Sequence, residues 1–208
     1  MFAPRSGGPL AAFGAFLALV AGLELLRVAP FWWGLVAGWV AGVALWLFLL
    51  NFFRDPHRRI GDGVVSAADG RVREVRASET ELLISVFMNV ADVHVNRAPT
   101  DGTFVRVHDG GAGRRPAYRS DADQNVSRTY EMATPLGPVR VVQITGILAR
   151  RLVSFVRSGA TVRKGDRFGM IILGSRVDVF LPAQRVEPAV HVGDRVLAGV
   201  TTIARERP

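Results

Sequence analysis

The chain has 208 residues, of which 26 are basic and 18 acidic, a formal net charge of +8, and no cysteine. That length holds one domain, or one domain with an appendage. The missing cysteine excludes disulfide scaffolds, iron–sulfur and thiolate zinc sites, and cysteine nucleophiles.

The first elements in the chain are apolar. Residues 6–23 form a charge-free run of 18 and residues 31–53 one of 23. At about 1.5 Å of rise per residue, the second run is long enough as a helix to cross a hydrocarbon core of roughly 30 Å. Trp32, Trp33, Trp39 and Trp46 suit an interface that favours amphipathic rings. Only the RVAP link at 27–30 separates the runs, so the economical arrangement is a helical hairpin that spans twice or dips in from one face. The alternative for the first run is a secretory signal peptide. Arg54, Arg58 and Arg59 follow the second run directly, which places that end, and the body after it, on the cytoplasmic face of the cell membrane. The body, residues 54–208, holds 24 basic and 17 acidic groups, and this excess favours contact with anionic headgroups. Residues 1–53 are thus expected to be a membrane-associated hairpin and residues 54–208 a β-rich catalytic domain.

Beyond residue 61, β-rich runs at 70–76, 81–89, 104–107, 139–145, 169–173 and 175–181 alternate with turn signals at 61–63, 109–111 and 164–166. The expected fold is mainly β, with antiparallel sheets forming a sandwich or partly open barrel. One helix is predicted at 147–156 (ILARRLVSFV), where apolar residues recur at helical spacing. Residues 109–126 read as a mobile surface loop, or alternatively as a substrate lid. Residues 159–171 and 188–200 share a weak repeat built around a valine and a Gly-Asp pair. It is similar to the paired turns of lipoyl-type barrel domains, which gives a rival reading as a noncatalytic membrane adaptor. A carrier would need a lysine at an exposed hairpin tip, and Lys164 is the only lysine. Nucleic-acid binding is disfavoured, because the body has no tryptophan and its charges are mixed in sign.

Of the four histidines, none forms an H-x-x-x-H pair, and no metal site is expected. His57, His108 and His191 read as solvated, whereas His94 lies between a strand-like run and a turn. Gly174-Ser175 is the only Gly-Ser dipeptide, and LGSRV does not match the G-x-S-x-G elbow of serine hydrolases. A serine directly after a glycine permits another reaction. Its hydroxyl can attack the preceding carbonyl, because glycine has no side chain to obstruct the approach.

Five segments then carry a resemblance: FFRDPHRRI (52–60), SAADGRV (66–72), FMNVADVHVNRAPTDG (87–102), QITGILARRLV (143–153) and GDRFGMIILGSRVDVFLP (165–182). The chain resembles the phosphatidylserine decarboxylase proenzyme family, in its short bacterial and archaeal (archaetidylserine decarboxylase-like) type. The resemblance implies that Ser175 attacks the Gly174 carbonyl to give an ester. Elimination and hydrolysis then leave a pyruvoyl cofactor at position 175. The products would be a β chain, residues 1–174, and an α chain of 34 residues, 175–208. The pyruvoyl ketone would serve as the electron sink when phosphatidylserine loses carbon dioxide to become phosphatidylethanolamine. The resemblance also implies a homodimer and an Asp–His–Ser arrangement in which Asp69 orients His94, and His94 acts as maturation base and as proton donor. Larger members show D-x-H-x-x-H-x-P, whereas here Arg97 occupies the second histidine position. Arg97 cannot act as a base. It would bind the substrate's phosphate or carboxylate through its planar fork, or pair structurally with Asp92 or Asp101. The basic residues near the membrane junction, with Arg114 and Arg115 as weaker candidates, would also attract the phosphate.

Overall fold

The computed structural model describes residues 7–25, 32–113, 124–146, 151–172 and 175–207. The chain divides into two compact units, residues 1–56 and 57–208.

The first unit is a pair of helices, α1 (Gly7–Leu25) and α2 (Trp32–Phe52). They pack side by side, and Leu17 comes so close to Gly42 that a side chain at residue 42 would meet its Cδ2 at 2.8 Å. Both helices are apolar all round rather than along one stripe, the pattern of a helix that needs apolar surroundings on every side. Phe16, Leu19, Val40 and Leu47 are exposed. Among the described residues, no helix is long and apolar enough to cross a membrane. The two expected apolar helices form, and neither has the length and hydropathy that the expected crossing of a membrane would need.

The second unit is mainly β and antiparallel throughout its named ladders. In chain order the strands are β1 (Val64–Val65), β2 (Gly70–Ala77), β3 (Glu81–Met88), β4 (Val95–Arg97), β5 (Gly102–Gly110), β6 (Ser127–Thr134) and β7 (Gly137–Thr145). They continue as β8 (Arg151–Ser154), β9 (Thr161–Val162), β10 (Arg167–Ile172), β11 (Ser175–Pro182), β12 (Val186–Pro188), β13 (Arg195–Val196) and β14 (Thr202–Glu206). Eight of them form one sheet in the order β13-β2-β3-β11-β7-β6-β5-β9, and two three-stranded sheets, β1-β14-β12 and β4-β10-β8, complete the unit. Strand alternation directs Val177, Val179 and Leu181 of β11, with Ile84, Val86 and Met88 of β3, into the core. There Phe104, Tyr130 and Phe168 meet with ring centroids 4.7–5.7 Å apart.

Two expectations need correction. The segment predicted as a helix at 147–156 is a strand where it is described: β8 runs beside β10, with Arg151 opposite Ile172 and Ser154 opposite Gly169. Leu152, Val153, Phe155 and Val156 form a short apolar run that suits either state, and pairing with β10 decides it. Residues 147–150 lie outside the described residues. The predicted loop at 109–126 is shorter than expected, because β5 continues to Gly110 and the chain bridges again between Gly113 and Asn125. Residues 114–123, including Arg114 and Arg115, lie outside the described residues.

The sequence repeat proves to be a repeated turn. In one copy Arg163 N–H donates to Asp166 Oδ2 at 2.7 Å, and in the other His191 N–H donates to Asp194 Oδ2 at 2.8 Å. The glycine before each aspartate has a positive φ, 87° at Gly165 and 98° at Gly193.

Candidate active site

Ser175 is the first residue of β11, the strand at the centre of the large sheet. Its main chain pairs with Met88 at the end of β3 and with Thr145 at the end of β7. Gly174, the other half of the expected cleavage bond, lies outside the described residues. The flanking strand β7 is secured at this end. Thr145 N–H and Oγ1 donate to the Val126 carbonyl at 3.0 and 2.9 Å, and the buried Asn125 amide donates to the Thr145 carbonyl at 2.7 Å. Asn125 was not singled out from the sequence, because an Asn in a Gly- and Asp-rich stretch reads as a turn residue.

His94 reaches the same region by a tight turn at the end of β3. Asp92 closes that turn, accepting the Asn89 N–H at 2.8 Å on Oδ2, and Arg195 Nη2 donates to its Oδ1 at 3.1 Å. The imidazole is fully buried, with Nδ1 2.9 Å from the Asp92 carbonyl. A carbonyl only accepts, so this contact places the ring's proton on Nδ1 and leaves Nε2 as the basic nitrogen. The His94 carbonyl accepts the Ile171 N–H at 3.3 Å. The histidine segment therefore lies against β10 three residues before the expected cleavage bond.

Asp69 precedes Gly70, where β2 starts, at the same end of the sheet. A side chain at residue 70 would run into the Phe87 carbonyl oxygen, so only glycine lets β2 lie this close to β3. The Asp69 carboxylate is buried and gripped in bidentate fashion by Arg58, at 2.5 and 2.8 Å, and it also accepts the Ala198 N–H at 2.8 Å. The ring of His94 is thus oriented by a backbone carbonyl, while the contacts described for Asp69 are with Arg58 and Ala198. Arg58, expected among the membrane-junction arginines, instead belongs to the interior of the second unit. It escaped notice because an arginine in a basic run reads as solvated.

Arg97, in β4, is also buried. Its Nη1 donates to the Gly165 carbonyl at 3.0 Å and its N–H to the Ala67 carbonyl at 3.0 Å. Of the acidic partners considered for it, Asp92 accepts from Arg195 at 3.1 Å and Asp101 accepts the Lys164 N–H at 2.7 Å. Beneath the site runs a buried polar chain. Tyr130 donates to Gln143 Oε1 at 3.1 Å and Gln143 Nε2 donates to Asn96 Oδ1 at 2.7 Å. Burial pushes the Tyr130 phenol above its ordinary range, so it remains a donor. Lys164 is half-buried with its ammonium on the Gly63 carbonyl at 3.1 Å, unlike a carrier lysine at an exposed tip. His57 and His191 are exposed, and His108 lies 3.9 Å from Glu131. Among the described residues, no group of three potential ligands could hold a metal. A cavity of about 840 Å³ lies at the far end of β11 around Phe180 and Pro182, and Ser175, His94, Asp69 and Arg97 are not among the residues that line it.

The arrangement brings a serine-initiated strand, a buried histidine with a defined basic nitrogen and a buried carboxylate to one end of one sheet. Comparison with known proteins agrees with this reading. The sequence pattern of the phosphatidylserine decarboxylase family matches residues 45–204. The chain is 41% identical over 169 residues to a phosphatidylserine decarboxylase proenzyme of Streptomyces avermitilis, covering 80% of this chain and 78% of that one. It is 41% identical over 214 residues to one of Azorhizobium caulinodans, covering 96% and 87%. It is also 40% identical over 166 residues to a protein of Methanosarcina mazei named as an archaetidylserine decarboxylase proenzyme, covering 78% and 77%. The chain belongs to the phosphatidylserine decarboxylase family.

Proposed function

We propose that the protein cuts its own chain between Gly174 and Ser175 and then decarboxylates phosphatidylserine to phosphatidylethanolamine at a membrane surface. The observation that carries this reading is the placement of Ser175. It opens the central strand of the sheet, held on both sides, directly after the segment that packs on His94. His94 Nε2 takes the hydroxyl proton of Ser175. The freed oxygen attacks the Gly174 carbonyl and displaces the amide nitrogen, giving an ester. Removal of the proton on Cα of residue 175 then expels the Gly174 carboxylate, leaving a dehydroalanine, and water converts this to a ketone with loss of ammonia.

The residues present fit a pyruvoyl group at 175. Serine supplies its carbon skeleton, glycine precedes it, and the ladders to Met88 and Thr145 hold the new terminus in register after the bond is broken. When present, that group supplies an electron sink for the electron pair left on the substrate's α-carbon as carbon dioxide leaves. The protein's own part is to exclude water around the buried His94, to return a proton from it to the product carbon, and to keep the 34-residue fragment seated. Asp69, its charge matched by Arg58, supplies the buried carboxylate of the site. Arg97 is the candidate ligand for the substrate's carboxylate or phosphate.

Membrane association is part of the same reading. It is supported by the exposed apolar side chains of α1 and α2, which would otherwise face water. Arg54 and Arg59 beside the second run support a cytoplasmic face for the catalytic unit. The reading also includes a homodimer, which sedimentation in detergent would test. The direct test of function is release of labelled carbon dioxide from carboxyl-labelled phosphatidylserine in vesicles, with Ser175→Ala as the inactive control. Fully processed protein that releases none would exclude the substrate.

A further inference from the structure

The edge of the large sheet at β13 combines two features that the chemistry above does not use. Outside the helices, the exposed large apolar side chains among the described residues are Ile60 (43% exposed), Val105, Val192 (63%) and Leu197 (40%). Three of these four gather on this one edge. Gly61 N–H donates to the Gly199 carbonyl at 3.0 Å, which lays Ile60 along the 197–199 segment. Val192 tips the Asp194-closed turn, anchored by Gly193 N–H on the Val72 carbonyl at 2.8 Å, and β13 joins that turn to Leu197.

The surroundings are basic. Arg59 and Arg71 are exposed, and the Arg195 side chain is 66% exposed. Arg71 and Arg195 stand directly opposite each other across the β2–β13 pair. Like charges in that position repel, and the Asp92 carboxylate at 3.1 Å offsets part of the charge on Arg195. Asp62, Asp92 and Asp194 are the acidic groups nearby; Asp92 pairs with Arg195, and an Asp194 oxygen accepts the His191 N–H.

We propose that this edge, with Ile60, Val192 and Leu197 flanked by Arg59, Arg71 and Arg195, is the surface by which the catalytic unit itself docks on an anionic bilayer. The proposal rests on the lipid-decarboxylase reading and adds where the lipid arrives. Apolar tips enter the headgroup boundary while the arginines meet phosphates, a combination that selects anionic over neutral surfaces. The same short segment holds the site. Ala198 N–H binds Asp69, and Arg195 binds the aspartate whose carbonyl orients His94. Docking there brings headgroups to the catalytic end of β11 without their crossing the protein.

The native chain has no cysteine, so single cysteines can report the edge in the full-length protein. Val192→Cys and Leu197→Cys would each carry an environment-sensitive fluorophore, and Val105→Cys would serve as the control. Val105 lies on β5, six strand spacings or about 29 Å across the sheet. In phosphatidylcholine vesicles containing phosphatidylglycerol, labels at 192 and 197 should shift to the blue and be quenched by brominated lipid. In phosphatidylcholine alone, or in high salt, both effects should fade, and the label at 105 should not respond in either. Labels at 192 and 197 that stay as aqueous as the one at 105 would overturn the proposal. So would a blue shift in detergent that grows with protein concentration, which would assign the edge to a second copy. Self-cleavage and carbon dioxide release from the same preparations separate the two ideas. Processed, active protein with aqueous labels removes only the docking edge, whereas failure to cleave or decarboxylate removes the functional reading.

Discussion

The sharpest consequences lie with individual side chains at the start of β11. His94→Ala removes the basic nitrogen beside the cleavage segment, so the purified variant should remain a single uncut chain. Normal cleavage would take His94 out of that role. Arg58 and Arg140 make a contrast that separates buried from exposed ion pairs. Breaking the buried Arg58–Asp69 pair with Arg58→Ala leaves a carboxylate without its counter-charge and should cost about 3–5 kcal/mol. Arg140→Ala, which releases the exposed Glu81 pair and a stacking contact on Phe180, should cost only about 1 kcal/mol. Chemical denaturation of the two variants would show the difference, and equal losses would contradict the structural role given to Arg58. Arg97→Ala deprives the buried Gly165 carbonyl of its donor, with an expected cost of about 1–3 kcal/mol. Its processing should continue while lipid turnover falls. Unchanged turnover would make the arginine purely structural.

At the scale of strands, β10 carries the cleavage segment over the buried polar chain. A Cβ at Gly169 would come within 2.9 Å of Gln143 Nε2 and 3.1 Å of the Tyr130 hydroxyl. Gly169→Ala should therefore disturb the layer beneath His94 and slow self-cleavage in a time course without abolishing it. Wild-type kinetics would show that this layer does not govern the site. The long strands were legible in the sequence because alternation and β-branched runs mark them, as in β3 and β11. β8 was misread because four of its neighbouring residues suit helix or strand equally and only the distant β10 decides. β6 was missed because its inward residues, Tyr130 and Met132, are interleaved with polar and charged ones. At the site, Ser175 and His94 could be picked out from their neighbours in sequence. The partners of Asp69 and Arg97 could not, since Arg58 and Gly165 are brought to them only by folding.

For the molecule as a whole, the account makes a covalent cut the condition for activity, placed in the middle of an eight-stranded sheet. After cleavage the α chain keeps β11 between β3 and β7, β13 on β2, and β14 on β1. The fragments should thus co-elute under native conditions and separate only when denatured. The intact mass of the denatured protein, with Ser175→Ala alongside, tests the central claim most directly. The account predicts two fragments from a chain of 22.6 kDa, residues 1–174 and 175–208, with the smaller blocked to Edman degradation by a terminal ketone, and an uncut Ser175→Ala chain. A folded wild-type protein that persists as one full-length mass, or a Ser175→Ala variant cut at the same bond, would contradict it.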